Sequence, residues 1–193
     1  TKTHWIRASA QGNGLIVSSG DYGPVTAFNP ATGKITVAQA SGQVDKQAGL
    51  RRVAFGNGVF VIGGQNGLLA VTKDGVNFQN NATNSARADI QCVLWTGTEF
   101  LATTQKEAYR SANGLDWKPA GNPVPRQIRK VNDWFYGYSW PPHKISRSRD
   151  TVKWELVPNE KEWQAKSFAY GPLSGGEPPK LPPAPKPRTP QNK

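Results

Sequence analysis

Apolar runs in this chain are short, and they sit in pairs around small polar turns. Leu15-Ile16-Val17 follows Asn13-Gly14, and Val59-Phe60-Val61-Ile62 follows Asn57-Gly58. Phe100-Leu101-Ala102 follows Gly97-Thr98, and Trp134-Phe135-Tyr136 follows Asn132-Asp133. On the upstream side lie Arg52-Val53-Ala54-Phe55 and Cys92-Val93-Leu94-Trp95. Two apolar runs flanking a two-residue polar turn predict a β-hairpin.

A second pattern recurs downstream of these hairpins. It reads Thr72-Lys73-Asp74-Gly75-Val76-Asn77-Phe78, then Ser111-Ala112-Asn113-Gly114-Leu115-Asp116-Trp117, then Ser148-Arg149-Asp150-Thr151-Val152-Lys153-Trp154. The copies begin 39 and then 37 residues apart. An Asp or Asn side chain accepts backbone N–H groups two residues on, and Gly supplies the positive φ of a tight turn. A hydroxyl ties the turn from its other side. Asp74, Gly75, Phe78, Asn113, Gly114, Trp117, Asp150 and Trp154 are therefore read as a structural turn motif whose aromatic opens the next strand.

The two patterns together make a unit of strand, tight turn, strand, loop, strand, Asp/Asn turn, strand. That is a four-stranded meander, the unit of a propeller blade. Units are expected at about residues 4–40, 50–82, 88–121 and 126–159. The first is divergent, with Asn29-Pro30-Ala31-Thr32-Gly33 as its last turn. A fifth unit begins at Trp163-Gln164-Ala165-Lys166-Ser167-Phe168-Ala169-Tyr170-Gly171 and then stops. The expected fold is all-β: a small β-propeller of four blades plus an extra strand. Chance recurrence of turns in an ordinary β-sandwich is the competing explanation. Two different turns recurring in the same order count against it.

Composition changes at residue 171. A repeat domain is expected over 1–171 and a Pro-rich basic tail over 172–193, because Gly-Gly-Glu-Pro-Pro-Lys-Leu-Pro-Pro-Ala-Pro-Lys-Pro-Arg-Thr-Pro has no apolar period. Such a segment is extended and polyproline-II-like. Its Pro182, Pro183, Pro185 and Arg188 resemble a Pro-rich ligand that lies along a partner; a free end is the plainer alternative.

The turn motif resembles the Asp-box, or BNR-type, repeat of sialidase-like propellers, shortened by one residue before the Gly. The wider pattern, Arg52-Val53-Ala54-Phe55-Gly56-Asn57-Gly58-Val59-Phe60-Val61 followed by an Asp-Gly turn, is similar to exported non-enzymatic propellers that include photosystem II assembly factors. The resemblance spans about residues 4–170 and speaks to fold more than to function. Four units and a strand fall short of the six or seven blades of those families. A closed four-blade disc, a five-blade disc with an incomplete blade, and assembly with another chain all stay open.

Sialidase chemistry in that family uses an arginine cluster, a tyrosine nucleophile with a glutamate partner, and an acidic acid/base residue. Tyr136 and Tyr138 exist, but Asp74 and Asp150 are committed to turns. Glu155, Glu160 and Glu162 read as a solvated edge. The two histidines, His4 and His143, and the single cysteine, Cys92, match no metal-ligand spacing. Cys92 sits in an apolar run and reads as a small core residue. Gly63-Gly64-Gln65-Asn66-Gly67 leads into a strand rather than a helix, so it is no phosphate loop. No enzyme activity, cofactor or metal is expected.

Net charge is +11 over 193 residues, which favours acidic partners. The richest surface candidate is residues 126–149. It holds Arg126, Arg129, Lys130, Lys144, Arg147 and Arg149 against one acid, Asp133, with Trp134, Phe135, Tyr136, Tyr138, Trp140 and His143 interleaved. Its plainer reading is a blade with alternate aromatics in the core and solvated basic edges. As a contact patch it offers the residue types that dominate interface energy. No run of about 18 apolar residues spans a membrane. Thr1 and the absence of Met suggest a removed N-terminal segment and an extracytoplasmic site.

The expectation is a non-catalytic binding or scaffold protein. It would be an accessory subunit or assembly factor of a larger membrane complex, photosynthetic or respiratory, with an acidic face. A nucleic-acid or polyanion binding module is the second reading. A sialidase-like glycan-binding or glycoside hydrolase domain is the third.

Overall fold

Paired strands form where the hairpin signals stand. A computed structural model describes residues 5–21, 24–39, 49–82, 88–121, 124–139 and 144–157. The first sheet contains β1 (Ile6–Gly12), β2 (Leu15–Gly20), β3 (Pro24–Phe28) and β4 (Ile35–Gln39). The second contains β5 (Leu50–Gly56), β6 (Val59–Gly64), β7 (Leu68–Thr72) and β8 (Gln79–Ala82). The third contains β9 (Cys92–Trp95), β10 (Phe100–Thr103), β11 (Ala108–Ser111) and β12 (Lys118–Pro119). The fourth contains β13 (Gln127–Val131), β14 (Trp134–Ser139), β15 (Lys144–Ser148) and β16 (Glu155–Leu156). Each sheet is an antiparallel meander in sequence order. The sheets fall inside the four units read from the sequence. The expected fifth strand and the Pro-rich tail lie outside the described residues.

Turn chemistry fixes the register. Asn13 and Gly14 have φ of 48° and 72°, and Asn57 and Gly58 have 45° and 73°. Two left-handed residues match the twist of the strands they join. In the Asp/Asn turns, the Thr72 hydroxyl accepts Gly75 N–H at 2.8 Å, and Asp74 Oδ1 accepts Val76 N–H and Asn77 N–H, both at 2.8 Å. Ser111 with Asn113, and Ser148 with Asp150, repeat these bonds at 2.8–2.9 Å. In the first sheet Asn29 Oδ1 accepts Ala31 N–H at 2.9 Å and Thr32 N–H at 3.2 Å.

The sheets stack first on second, second on third, third on fourth, with β1, β5, β9 and β13 along the inner edge. Val17, Val25, Ala27, Phe60 and Ile62 form the first core layer. Val61, Leu69, Val93 and Phe100 form the second. Leu94, Leu101, Ile128 and Phe135 form the third. Burying each Phe60- or Phe100-sized side chain contributes about 1.5–3 kcal/mol.

The inter-sheet fit repeats. The Phe55 ring lies over Gly12, where a Cβ would come within 2.3 Å of it, and the Trp95 ring lies over Gly56 in the same way, at 2.2 Å. Each ring also packs on its own sheet, Phe55 on Phe60 at 4.8 Å and Trp95 on Phe100 at 4.7 Å between centroids. Asn13 Nδ2 donates to the Gly58 carbonyl at 2.9 Å and the Lys73 carbonyl at 3.2 Å. Asn57 Nδ2 donates to the Ala112 carbonyl at 3.1 Å.

Candidate binding surface

The inner strands carry a group of guanidinium ions. Arg52, on β5, is half-buried. Its Nε donates to the Gln91 carbonyl, and its Nη1 donates to the Arg51 carbonyl at 2.8 Å. No carboxylate pairs with it among the described residues. Burial lowers its pKa below the ordinary arginine value; Cys92 opposes that shift, and the nearby positive Arg129 and Arg51 add to it. An arginine remains protonated regardless. A partly desolvated cation without a counter-ion is costly until an anion arrives.

Its surroundings are basic. The Asp21 carboxylate bridges Arg7, at 2.7 Å, and Arg51, at 3.1 Å. Those bonds, the Arg7 hydrogen bond foremost, hold the Asp21 carboxyl below the usual range. Arg51, Arg52, Gln65, Asp89 and Gln91 line a small cavity of about 40 Å³. The Asp89 carboxylate accepts Asn66 N–H at 3.1 Å. Arg129, on β13, is exposed and donates to the Ile128 carbonyl at 3.1 Å.

The fourth sheet divides the basic aromatic segment between its two faces. Arg129, Tyr136, Arg147 and Glu155 form one cross-strand row. On that face Arg147 and Arg149 each stack on Trp134 with 4.4 Å to the ring centroid, and Arg147 pairs with Glu155 at 2.6 Å. Tyr138 is buried. Lys130 lies on the opposite face, over Phe135 at 5.5 Å, and donates to the Thr96 carbonyl at 3.4 Å. Lys144 is exposed at the start of β15. Arg126 is half-buried, and its carbonyl accepts the Thr103 hydroxyl at 2.7 Å. The structure thus brings Arg129, Arg147 and Arg149 onto one side and separates Lys130 from them. Trp140, His143, Pro182, Pro183, Pro185 and Arg188 lie outside the described residues.

Arg51 and Arg52 were not among the candidates read from the sequence. Their one signal was an Arg-Arg pair opening an apolar strand. A cleft of about 570 Å³ also lies between the second and third turns, lined by Asn57, Val71, Lys73, Phe78, Asn113 and Leu115 among others. Its carboxylate, Asp74, is occupied by the turn, and the Asn77 and Val76 N–H groups help hold its pKa at about 2. Among the described residues no group of three or more His, Cys, Asp or Glu could hold a metal ion. No helix there is long and apolar enough to cross a membrane.

Solved structures match this arrangement of sheets. YCF48 bound to D1 peptide superposes with a TM-score of 0.64 at 13% identity, over 82% of this chain and 55% of that one. Virginiamycin B lyase from Staphylococcus aureus gives 0.65 at 12% identity, over 81% and 56%. BamB from Moraxella catarrhalis gives 0.54 at 11% identity, over 68% and 40%. The fold is a β-propeller. The four sheets are its blades, and the chain spans about half the length of these three solved propellers. No family model matches the sequence, and no curated protein matches it. Both a lyase and non-enzymatic propellers share the fold, so fold alone assigns no chemistry.

Proposed function

We propose that this propeller is a non-catalytic binding protein that docks an acidic segment of a larger protein, as an accessory subunit or assembly factor of an extracytoplasmic membrane complex. The observation that carries this reading is Arg52: a half-buried guanidinium that no carboxylate pairs with among the described residues, flanked by Arg51 and Arg129. Carboxylates of a peptide would supply the missing counter-charge through paired, charge-assisted hydrogen bonds. Arg147, Arg149 and Trp134 extend the basic surface on the last blade.

Five of the described carboxylates are engaged in turns or ion pairs. Asp74 and Asp150 hold turns, Asp21 bridges two arginines, and Glu99 and Glu155 are paired with Arg110 and Arg147. That favours binding over chemistry. YCF48, solved bound to D1 peptide, is a precedent for a propeller of this fold that binds a peptide.

Copurification from detergent-solubilised membranes tests the reading. Wild-type protein is expected to retain a partner that the Arg52→Gln, Arg129→Gln double variant loses. Equal recovery by both would overturn the arginine site, and a partner released by nuclease would indicate nucleic acid instead.

A further inference from the structure

The cavity beside Arg52 has a carboxylate in its wall. Arg51 and Arg52 come from β5, Gln65 from the turn that follows β6, and Asp89 and Gln91 from the segment that enters β9. Asp89 forms no ion pair with either arginine among the described residues. Its carboxylate instead accepts Asn66 N–H at 3.1 Å. That bond holds the 65–67 turn against the approach to the third blade, and an amide in place of the carboxylate would hold it as well. A turn cap therefore does not account for the negative charge.

The donors left for a ligand can be counted. Arg52 commits Nε to the Gln91 carbonyl and Nη1 to the Arg51 carbonyl. Its Nη2 makes no further bond among the described residues. Gln65 Oε1 accepts Gly49 N–H at 2.7 Å. That bond fixes which end of the amide is oxygen and leaves its NH₂ group to donate. Arg51 Nε is held by Asp21 Oδ1 at 3.1 Å. A Cβ on Gly49 would lie 3.2 Å from Asp21 Oδ1 and 3.3 Å from Gln65 Oε1, so Asp21 closes on the same place from the first blade.

Charge and size then restrict the ligand in the same direction. Arg7 and Arg51 share Asp21, and Arg52 offers one positive charge with Asp89 in the same wall. A ligand group with one negative charge satisfies Arg52. A second negative charge on that group meets Asp89. The cavity is about 40 Å³, little more than the share of one water at about 30 Å³. A planar carboxylate suits that space and the flat guanidinium. A phosphate is tetrahedral and bulkier, and it carries about −1.5 to −2 at neutral pH.

We propose that Asp89 is the specificity-determining residue of the Arg52 site: it admits a single peptide carboxylate and turns phosphate away. This deepens the function proposed above and rests on it. A repulsive group set against the wrong ligand gives specificity as an attractive group set toward the right one does. Asp89 weakens the binding of every anion, and it weakens a dianion more, because Coulomb repulsion grows with the ligand's charge. A chain of net charge +11 attracts phosphate-bearing polyanions along with acidic proteins. Asp89 makes this one place selective between them. Arg129, on β13 and outside the cavity wall, would meet acids further along the same peptide.

Fluorescence anisotropy on the full chain at fixed salt tests this with two labelled peptides that differ at one position, Glu in one and phosphoserine in the other. Wild type should bind the Glu peptide about fivefold tighter or more. Asp89→Asn keeps an oxygen for the Asn66 N–H and removes the charge. It should raise affinity for the phosphoserine peptide more than for the Glu peptide, narrowing the ratio to about twofold. Asp133→Asn, at the exposed turn before β14, alters net charge equally and should leave the ratio unchanged. Acetate and methyl phosphate as competitors repeat the comparison on wild type alone, should Asp89→Asn misfold. Acetate should displace the Glu peptide at the lower concentration. Equal binding of both peptides by wild type, a preference for phosphoserine, displacement first by methyl phosphate, or equal effects of Asp89→Asn and Asp133→Asn on the ratio would overturn the role of Asp89 and leave the arginine site standing. Failure of wild type to bind either peptide would overturn both proposals.

Discussion

Gly75, in the Asp/Asn turn of the second blade, rests against Ala27 in the first, so that a Cβ on Gly75 would lie 2.6 Å from that of Ala27. The turn that ends one blade is thus also the wedge that fixes it to the blade before. Gly75 has φ 73°, and Gly33, in the first blade's own last turn, has φ 70° with nothing within 4 Å of its would-be Cβ. Gly33→Ala therefore meets only the backbone penalty of about 1–2 kcal/mol. Gly75→Ala adds overpacking of about 1–3 kcal/mol. Urea unfolding of the two variants should show that difference, and equal losses would mean that the wedge has no energetic role.

Acid should act on the same turns. The Asp74 carboxyl is held at about 2, first by the Asn77 N–H, and Asp150 is lowered by the Lys153 and Val152 N–H groups. A depressed carboxylate stabilises the fold above its unfolded pKa near 3.9. That stability is lost as pH falls from about 4 through about 2. Asp74→Asn should remove part of the acid sensitivity and lower stability at neutral pH by the same contribution, because a neutral Asn keeps the turn bonds that Asn113 makes in the third blade but not the charge that the N–H donors favour. Acid titration followed by tryptophan fluorescence would check both statements.

Asn57 joins two blades through one amide. Asn57→Gly keeps the positive φ and removes the bond to the Ala112 carbonyl. The expected loss is about 1 kcal/mol. Asn132→Gly, without a partner among the described residues, should cost less. Paired denaturation curves decide this.

Cys92 can report on the third core layer. It is buried, its thiol donates to the Ile128 carbonyl at 3.6 Å, and burial pushes its pKa up. A disulfide reagent should therefore label it only as fast as the third and fourth blades open. Rapid labelling of native protein would contradict this packing.

Blade limits were legible because the signals are local. Asn13-Gly14, Asn57-Gly58 and the Thr72, Ser111 and Ser148 turns each complete their hydrogen bonds within a few residues. Thr151 shows how firm that pattern is: it holds the glycine place with φ 61° and is fully buried. The joints between blades were not legible. Phe55 over Gly12 spans 43 residues, and neither residue announces the other. The basic segment was found, but its division between two faces depends on strand alternation, which sets Lys130 opposite to Arg129. Arg52 was missed because its meaning lies in its surroundings: half-buried, beside Arg51 and Arg129, and in no ion pair among the described residues.

Titration with a labelled acidic peptide, read by fluorescence anisotropy at fixed salt, tests the central claim most directly. Wild-type protein should bind it, Arg52→Gln with Arg129→Gln should weaken binding about tenfold or more, and Lys118→Gln, on the exposed outer strand of the third blade, should change it little. Equal losses from Lys118→Gln and the arginine pair, or no loss from either, would show that net charge rather than the Arg52 site holds the ligand, and would contradict the account.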